Sequence, residues 1–198
     1  MQSSVQPATD SKALIRELEE YRRQFVAVED DAKALLSNLN NEQFNWCSQP
    51  GIWSIAQCID HLNVTGKIYG ANIDKKIAEA HTREQFSQGP FQQKWLDNLF
   101  IKSLEPPVKR KFKAPKQFVP QADKPLNIVS EEFRSIQEQF ITRLQNANGL
   151  NLTRIKLASP VISLLKMTLL GVFGLVLAHE RRHLWQARQV LQHPNFPR

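Results

Sequence analysis

The chain has 198 residues, of which 41% are hydrophobic and 23% charged, and this balance excludes a disordered protein. The length suits one packed domain, and only seven glycines with few β-branched runs argue against an all-β fold. The formal net charge is +7, and residues 101–124 hold seven basic against two acidic side chains, so the basicity is local.

The sequence predicts a cytoplasmic protein without a membrane partner. The first ten residues have neither the basic nor the apolar region of a signal peptide. The most apolar stretch, Val161 to Ala178, is interrupted by Lys166, and its uncharged part is too short to cross a bilayer. The two cysteines, Cys47 and Cys58, form neither a disulfide framework nor a Cys-x-x-Cys motif, which suits a reducing compartment.

Two helices are predicted in the first half of the chain. After a flexible N-terminus (residues 1–9), apolar residues recur at three- and four-residue steps from about Ser11 to Asn38. A second helix begins at Trp53 or Ser54, with Ser54 suited to be its N-cap, and reaches about His81. The short link of residues 39–53 favours an antiparallel pair.

Two further helices are predicted in the second half. The third covers about Asn127 to Asn146 and ends before Asn148-Gly149, and the fourth runs from about Val161 to Gln192. Four such helices predict an all-α four-helix bundle that forms a single domain over residues 1–198. The link of residues 82–126 is long, basic and rich in proline, and it can cross the bundle so that the second and third helices run parallel.

Two histidines of the fourth helix, His179 and His183, are four residues apart and lie on its core-facing side. Such a pair can bind one divalent metal ion. The open alternative is a pair of core-edge histidines bonded to carbonyls or a carboxylate. The adjacent carboxylates, Asp60 and Glu180, could orient an imidazole, but we expect both to be solvated because neighbouring residues on a helix diverge.

The same segment also spells the His-Glu-x-x-His motif of zinc peptidases. That interpretation fails on the third ligand, because Gln189 stands where the long form of the motif needs histidine and His193 follows too late. His61 in the second helix fits better, since metal sites in bundles are assembled from facing helices. His81 and His193 have the positions of surface or helix-end residues.

Three pieces of the chain, namely Trp53-Ser54-Ile55, His61-Leu62 and the segment from His179 to Gln186, together resemble the DinB-like superfamily. The resemblance is to its branch of YfiT-type proteins, related to bacillithiol- and mycothiol-dependent S-transferases, and it covers nearly the whole chain. It implies an up-down-down-up four-helix bundle with a divalent metal ion (zinc, nickel or manganese) on His61, His179 and His183. It also implies that a low-molecular-weight thiol is transferred to a small-molecule substrate, or that a substrate is hydrolysed.

The residues favour a metal-dependent enzyme, because three neutral histidines leave metal positions open for water or a thiol. Gln186, one turn beyond His183 on the same face, could bond that water or the substrate and is the candidate catalytic residue; the open alternative is a polar residue that only ends the bundle. The alternative is a non-catalytic metal-binding protein in which the ion ties the second and fourth helices together.

A third hypothesis is nucleic-acid or anionic-ligand binding through residues 102–124, where Phe112 and Phe118 interleave with lysines. A solvated, mobile loop is the favoured interpretation, so nucleic acid is not an expected partner. A homodimer is also considered, because the fourth helix carries a second apolar flank, although internal burial explains such a flank more often. The flank comprises Leu170, Phe173, Leu177, Leu184 and Trp185.

Overall fold

The computed structural model describes residues 13–108, 113–162 and 164–198. In these ranges the chain is mostly helical, with one small antiparallel sheet of strands β1 (Lys156–Ala158) and β2 (Lys166–Thr168). A short 3-10 turn covers Lys116–Phe118. The α-helices are α1 (Arg16–Leu36), α2 (Asn41–Asn45), α3 (Ile55–Thr82), α4 (Trp95–Leu104), α5 (Leu126–Ala147) and α6 (Leu169–Leu191).

The four long helices α1, α3, α5 and α6 share one apolar core. Phe25 of α1 stacks on Phe140 of α5 with ring centroids 5.0 Å apart. Helices α3 and α5 approach closely at Gly66, where a Cβ atom would lie only 2.7 Å from Cγ2 of Ile136. Because each helix has an apolar face, packing these faces together removes them from water, and this burial holds α3 and α6 side by side.

Three of the four predicted helices are close to the observed ones. The first begins at Arg16 rather than near Ser11, and the residues before 13 lie outside the described ranges. Ser54 is the N-cap of α3, as predicted: its Oγ accepts from the Gln57 amide N at 3.1 Å, while Gln57 Oε1 accepts from the Ser54 amide N at 3.1 Å. Helix α5 agrees with the predicted third helix within a residue at each end.

The prediction that the fourth helix begins at Val161 is wrong. Strands β1 and β2 occupy Lys156–Ala158 and Lys166–Thr168, and α6 begins at Leu169 after Thr168, whose Oγ1 accepts from the Gly171 amide N at 2.9 Å. The buried Asp97 of α4 accepts from the Thr168 amide N at 3.1 Å and from the Thr168 hydroxyl. These bonds satisfy backbone donors at the helix start, so α4, inside the long link, stabilises the start of α6 at this position.

The second apolar flank of α6 is covered by the chain itself. Leu170, Phe173, Leu177 and Leu184 are buried and Trp185 is half-buried, so internal burial accounts for this flank. No helix within the described ranges is long and apolar enough to cross a membrane.

Candidate metal centre

Three imidazoles meet where α3 faces α6. One ring nitrogen each of His61, His179 and His183 lies within 4.8 Å of the other two. Nε2 of His61 is 3.2 Å from Nε2 of His179, and the three ring centroids are 4.5 to 5.0 Å apart. The one-turn spacing on α6 and a single residue of the facing helix therefore bring together the three residues that the sequence singled out.

The His61 ring is oriented by a backbone carbonyl. Its Nδ1 lies 2.6 Å from the carbonyl oxygen of Phe118, a buried residue at the end of the 3-10 turn. A carbonyl only accepts, so Nδ1 carries the hydrogen and the lone pair of Nε2 faces His179. Bonds of this kind fix the tautomer of metal-ligating histidines.

Asp60 is buried, and the expectation that it is solvated is wrong. Its side chain is 1% exposed, and its oxygens accept from the Gln121 amide N at 2.8 Å and from Lys124 Nζ at 2.6 Å. A buried carboxylate needs such donors, and both come from the end of the long link. Asp60 therefore fastens this part of the link to α3, close to where Phe118 reaches His61.

Glu180 is also buried rather than solvated. It is 2% exposed, and its Oε1 accepts from Gln137 Nε2 of α5 at 2.9 Å. Burial raises the pKa of the Glu180 carboxyl to about 8, against smaller opposing effects of Gln137 and Arg181. Among the described residues the cluster of possible metal ligands contains no carboxylate. Glu180 faces α5 instead, which removes the basis of the peptidase interpretation.

All three clustered histidines are neutral at neutral pH. Burial lowers the pKa of His179 to about 3, and repulsion from His61, when that ring is protonated, and from Arg182 acts in the same direction. Burial and the neighbouring imidazoles bring the pKa of His183 well below its usual value. The pKa of His61 is lowered by burial, although the Phe118 carbonyl and Asp60 oppose this. Neutral imidazole is the form that ligates metals.

The donor set fits a divalent metal ion. Three neutral imidazole nitrogens are ligands that zinc and nickel accept readily, and manganese less tightly. Nδ1 of His183 is buried and has no hydrogen-bond partner among the described residues, and such a group costs stability unless a ligand satisfies it. The alternative was that His179 and His183 are bonded to carbonyls or a carboxylate. Among the described contacts of the cluster, the carbonyl bond is made by Nδ1 of His61, whereas Nε2 of His179 faces the His61 ring.

Two further side chains border the cluster. The Trp53 ring packs on His61 and His183, with centroids 4.9 and 5.7 Å away. Gln186 is partly exposed, and its side chain raises the pKa of His183. This effect is the smallest of those that shift the His183 pKa. Trp53 also lines a cavity of about 350 Å³ at the start of α3, together with Asn45, Cys47, Gly51, Ile52, Ser54, Gln57, Ala122 and Asp123. The sequence marked Trp53 through the resemblance, but not as a wall of the site.

The remaining histidines lie apart from the cluster, in agreement with their predicted helix-end positions. His81 is exposed and bonds the Asn146 carbonyl at 3.0 Å, and His193 packs on Trp46. The base-stacking hypothesis loses one of its aromatics, because Phe118 is only 2% exposed. Phe112, the other aromatic, lies outside the described residues.

The comparison with protein families agrees with this arrangement. The DinB superfamily model matches residues 24–187, most of the chain, and the chain belongs to this superfamily. The matched range includes the three clustered histidines, Trp53 and Gln186. Comparison with curated proteins and with solved structures gave no significant match.

Proposed function

We propose that the chain is a metal-dependent enzyme, a thiol S-transferase or a hydrolase, in which His61, His179 and His183 hold one divalent ion. The observation that carries the proposal is the convergence of three neutral, largely buried imidazole nitrogens within 4.8 Å of one another. A divalent ion bound there would supply a nucleophile at neutral pH by lowering the pKa of a thiol or a water molecule.

Other side chains of the site suggest how a substrate is received. Trp53 packs on two of the imidazoles and also lines the cavity of about 350 Å³, which suits a small molecule in size but is not lined by the three histidines themselves. Gln186 can donate or accept a hydrogen bond at the open side of His183 and is the proposed catalytic side chain. Glu180, bonded to Gln137 and largely neutral at pH 7, does not act as a general base.

The finer description of the protein belongs to the same proposal. We propose one domain whose long helices form an up-down-down-up four-helix bundle, supported by the core that α1, α3, α5 and α6 share. A cytoplasmic location is supported by two cysteines that are both free. The homodimer stays a prediction.

The central test is the metal content of the purified protein after loading with zinc, nickel or manganese. We expect about one ion per chain by mass spectrometry of the element, and a loss of roughly 100-fold or more in affinity for His61→Ala and His183→Ala. The exposed His81→Ala variant is the matched control and should bind as the wild type does. A wild type that binds no divalent ion, or variants that bind it unchanged, would contradict the proposal.

A metal-dependent enzyme and a non-catalytic metal-binding protein differ in whether the bound ion keeps a coordination position open for a substrate. In the cobalt-loaded protein, adding a low-molecular-weight thiol should produce a new sulfur-to-metal absorption band if a position is open. Trp53→Ala should change the thiol concentration at which the band is half-formed, because Trp53 borders the imidazoles. A spectrum that no thiol alters would favour an ion that only ties α3 to α6.

Asp60→Asn tests how the long link supports the site. The variant loses the charge of the pair with Lys124, so we expect the link to loosen and the Phe118 carbonyl to orient His61 less well. Metal affinity, measured by competition with a chelator, should fall about 10-fold. Asp74→Asn is the control, since it removes an exposed carboxylate of the same helix, paired with Arg143. Equal affinities of the two variants would show that Asp60 does not position His61.

A further inference from the structure

The turn between β1 and β2 holds apolar side chains out in water. Val161, Ile162 and Leu164 are 50%, 48% and 93% exposed. The turn is nevertheless well bonded: Ser159 Oγ accepts from the amide N of Val161 at 3.2 Å and of Ile162 at 3.1 Å, and the Leu165 amide N donates to the Ile162 carbonyl at 2.9 Å. Hydrogen bonds to backbone amides therefore hold this turn in place, and its exposed aliphatic side chains are left free for a partner.

Basic side chains of the long link lie beside this turn. Gln117 Nε2 donates to the Pro160 carbonyl at 3.1 Å and so joins the link to the hairpin. Lys113, which precedes the 3-10 turn, and Lys116, its first residue, are both exposed. Val119, which follows the turn, is 51% exposed. The aliphatic turn thus continues into a basic segment that also carries an exposed aliphatic residue.

The hairpin strands add exposed positive charge, although the buried Asp97 partly offsets the effect of Lys94 on Lys156. Lys156 and Lys166 are exposed, and neither residues 155–168 nor residues 113–122 contain an aspartate or a glutamate. Lys156 also lies beside Lys94, and its pKa is lowered first by burial and then by that contact. Like charges brought together on one surface favour a polyanionic partner, which relieves their repulsion.

We propose that this surface, here called the basic hairpin surface, binds the anionic phospholipid headgroups of a membrane. It comprises Lys113, Lys116, Val119, Lys156, Val161, Ile162, Leu164 and Lys166. Lysines bind the headgroups while the aliphatic side chains enter the interface, so the chain attaches without a spanning helix, in contrast to the expectation from the sequence that it has no membrane partner. A nucleic acid would engage the lysines but would leave the aliphatic turn exposed, and Phe118 is buried away from any base. The binding is independent of the metal site.

The test is sedimentation of the full chain with vesicles of phosphatidylcholine alone or with about 30% phosphatidylserine. We expect binding only to the anionic vesicles, weakened by salt. Lys113→Gln with Lys116→Gln should lower the partition coefficient about 5-fold for each lysine, and Leu164→Asp should lower it by at least as much. Matched controls are Lys33→Gln and Val26→Asp, which alter exposed residues of α1 and should leave binding unchanged. Circular dichroism and metal content check that each variant is folded.

Three outcomes would overturn the proposal. The first is no binding to anionic vesicles by a folded wild type, or equal binding by all variants. The second is RNA binding that the lysine variants lose and Leu164→Asp keeps, with no vesicle binding. The third is a change from dimer to monomer in Leu164→Asp without an effect on vesicles, which would assign the turn to a second copy of the chain.

Discussion

Replacing Glu180 by glutamine is expected to stabilise the metal-free protein by an amount that grows as the pH rises. The folded pKa of Glu180 is about 8, against an ordinary value of 4.5. Between these values the folded chain keeps a proton that the unfolded chain has released, so wild-type stability decreases with rising pH. The decrease is about 1.4 kcal/mol per pH unit, or at most about 4 kcal/mol between about pH 5 and pH 8.

The contacts of Glu180 explain why glutamine is the right substitution. Glu180 Oε2 and Gln137 Oε1 are both buried without a hydrogen-bond partner among the described residues. A proton on Glu180 Oε2 would let this oxygen donate to Gln137 Oε1, and a cyclic pair would then join α5 to α6 and satisfy both atoms. Glutamine at position 180 has the same shape, donates through Nε2 to the same acceptor, and does not titrate.

The measurement is denaturant unfolding of the wild type and of Glu180→Gln, each with a chelator present, between about pH 5 and pH 8. Only the difference in unfolding free energy between the two proteins is interpreted. Glu20→Gln, which changes an exposed glutamate of α1, should show a small difference that does not vary with pH. A Glu180→Gln difference that is equally independent of pH would mean that the Glu180 carboxyl is already ionised in the folded protein.

The positions of the clustered histidines on their helices could be predicted because they depend on local geometry. A spacing of four residues places His179 and His183 on one face of any α-helix. The pattern of apolar residues then turns that face towards the core. His61 needed more than periodicity, since its pairing with α6 spans more than a hundred residues; it was predicted because metal sites in bundles are assembled from facing helices, and the family resemblance implied the same residue. That these three bind a metal stays a proposal.

Contacts between distant backbone and side-chain groups could not be predicted from the sequence. No local pattern indicates that the Phe118 carbonyl bonds His61 or that Asp60 accepts from Lys124. The start of α6 was misplaced for the same reason: the apolar run after Pro160 suits a helix or a strand, and the choice depends on Asp97 bonding Thr168. Adjacent helix residues do diverge, but Asp60 turns towards donors of the long link and Glu180 towards the buried Gln137, instead of towards solvent.

Mild acid is expected to destabilise the metal-free protein through the histidines of the cluster. Below an unfolded pKa of about 6.5, the unfolded chain binds protons that the folded chain, with its lowered histidine pKa values, does not bind. Stability therefore falls as the pH falls, by about 1.4 kcal/mol per pH unit for each histidine. For His179, with a folded pKa of about 3, this is at most about 2 kcal/mol between about pH 6.5 and pH 5, and His183 adds to it in the same direction. Below pH 6.5 the loss of stability caused by the two histidines is steeper than the gain caused by Glu180, so stability should be highest near pH 6.5.

The variant that tests this expectation is His179→Gln with His183→Gln, unfolded by denaturant in chelator over the same range. Glutamine is polar but does not titrate, so the acid slope should fall by about 3 kcal/mol per pH unit at most, while His81→Gln should keep it. An unchanged slope in the double variant would mean that the two imidazoles are not neutral in the fold.

In the wild type, zinc should raise stability and shift acid unfolding to lower pH, because an ion that binds only the folded chain competes with protons for the same nitrogens. The double variant should lose this zinc effect, which distinguishes binding at the cluster from binding elsewhere on the surface.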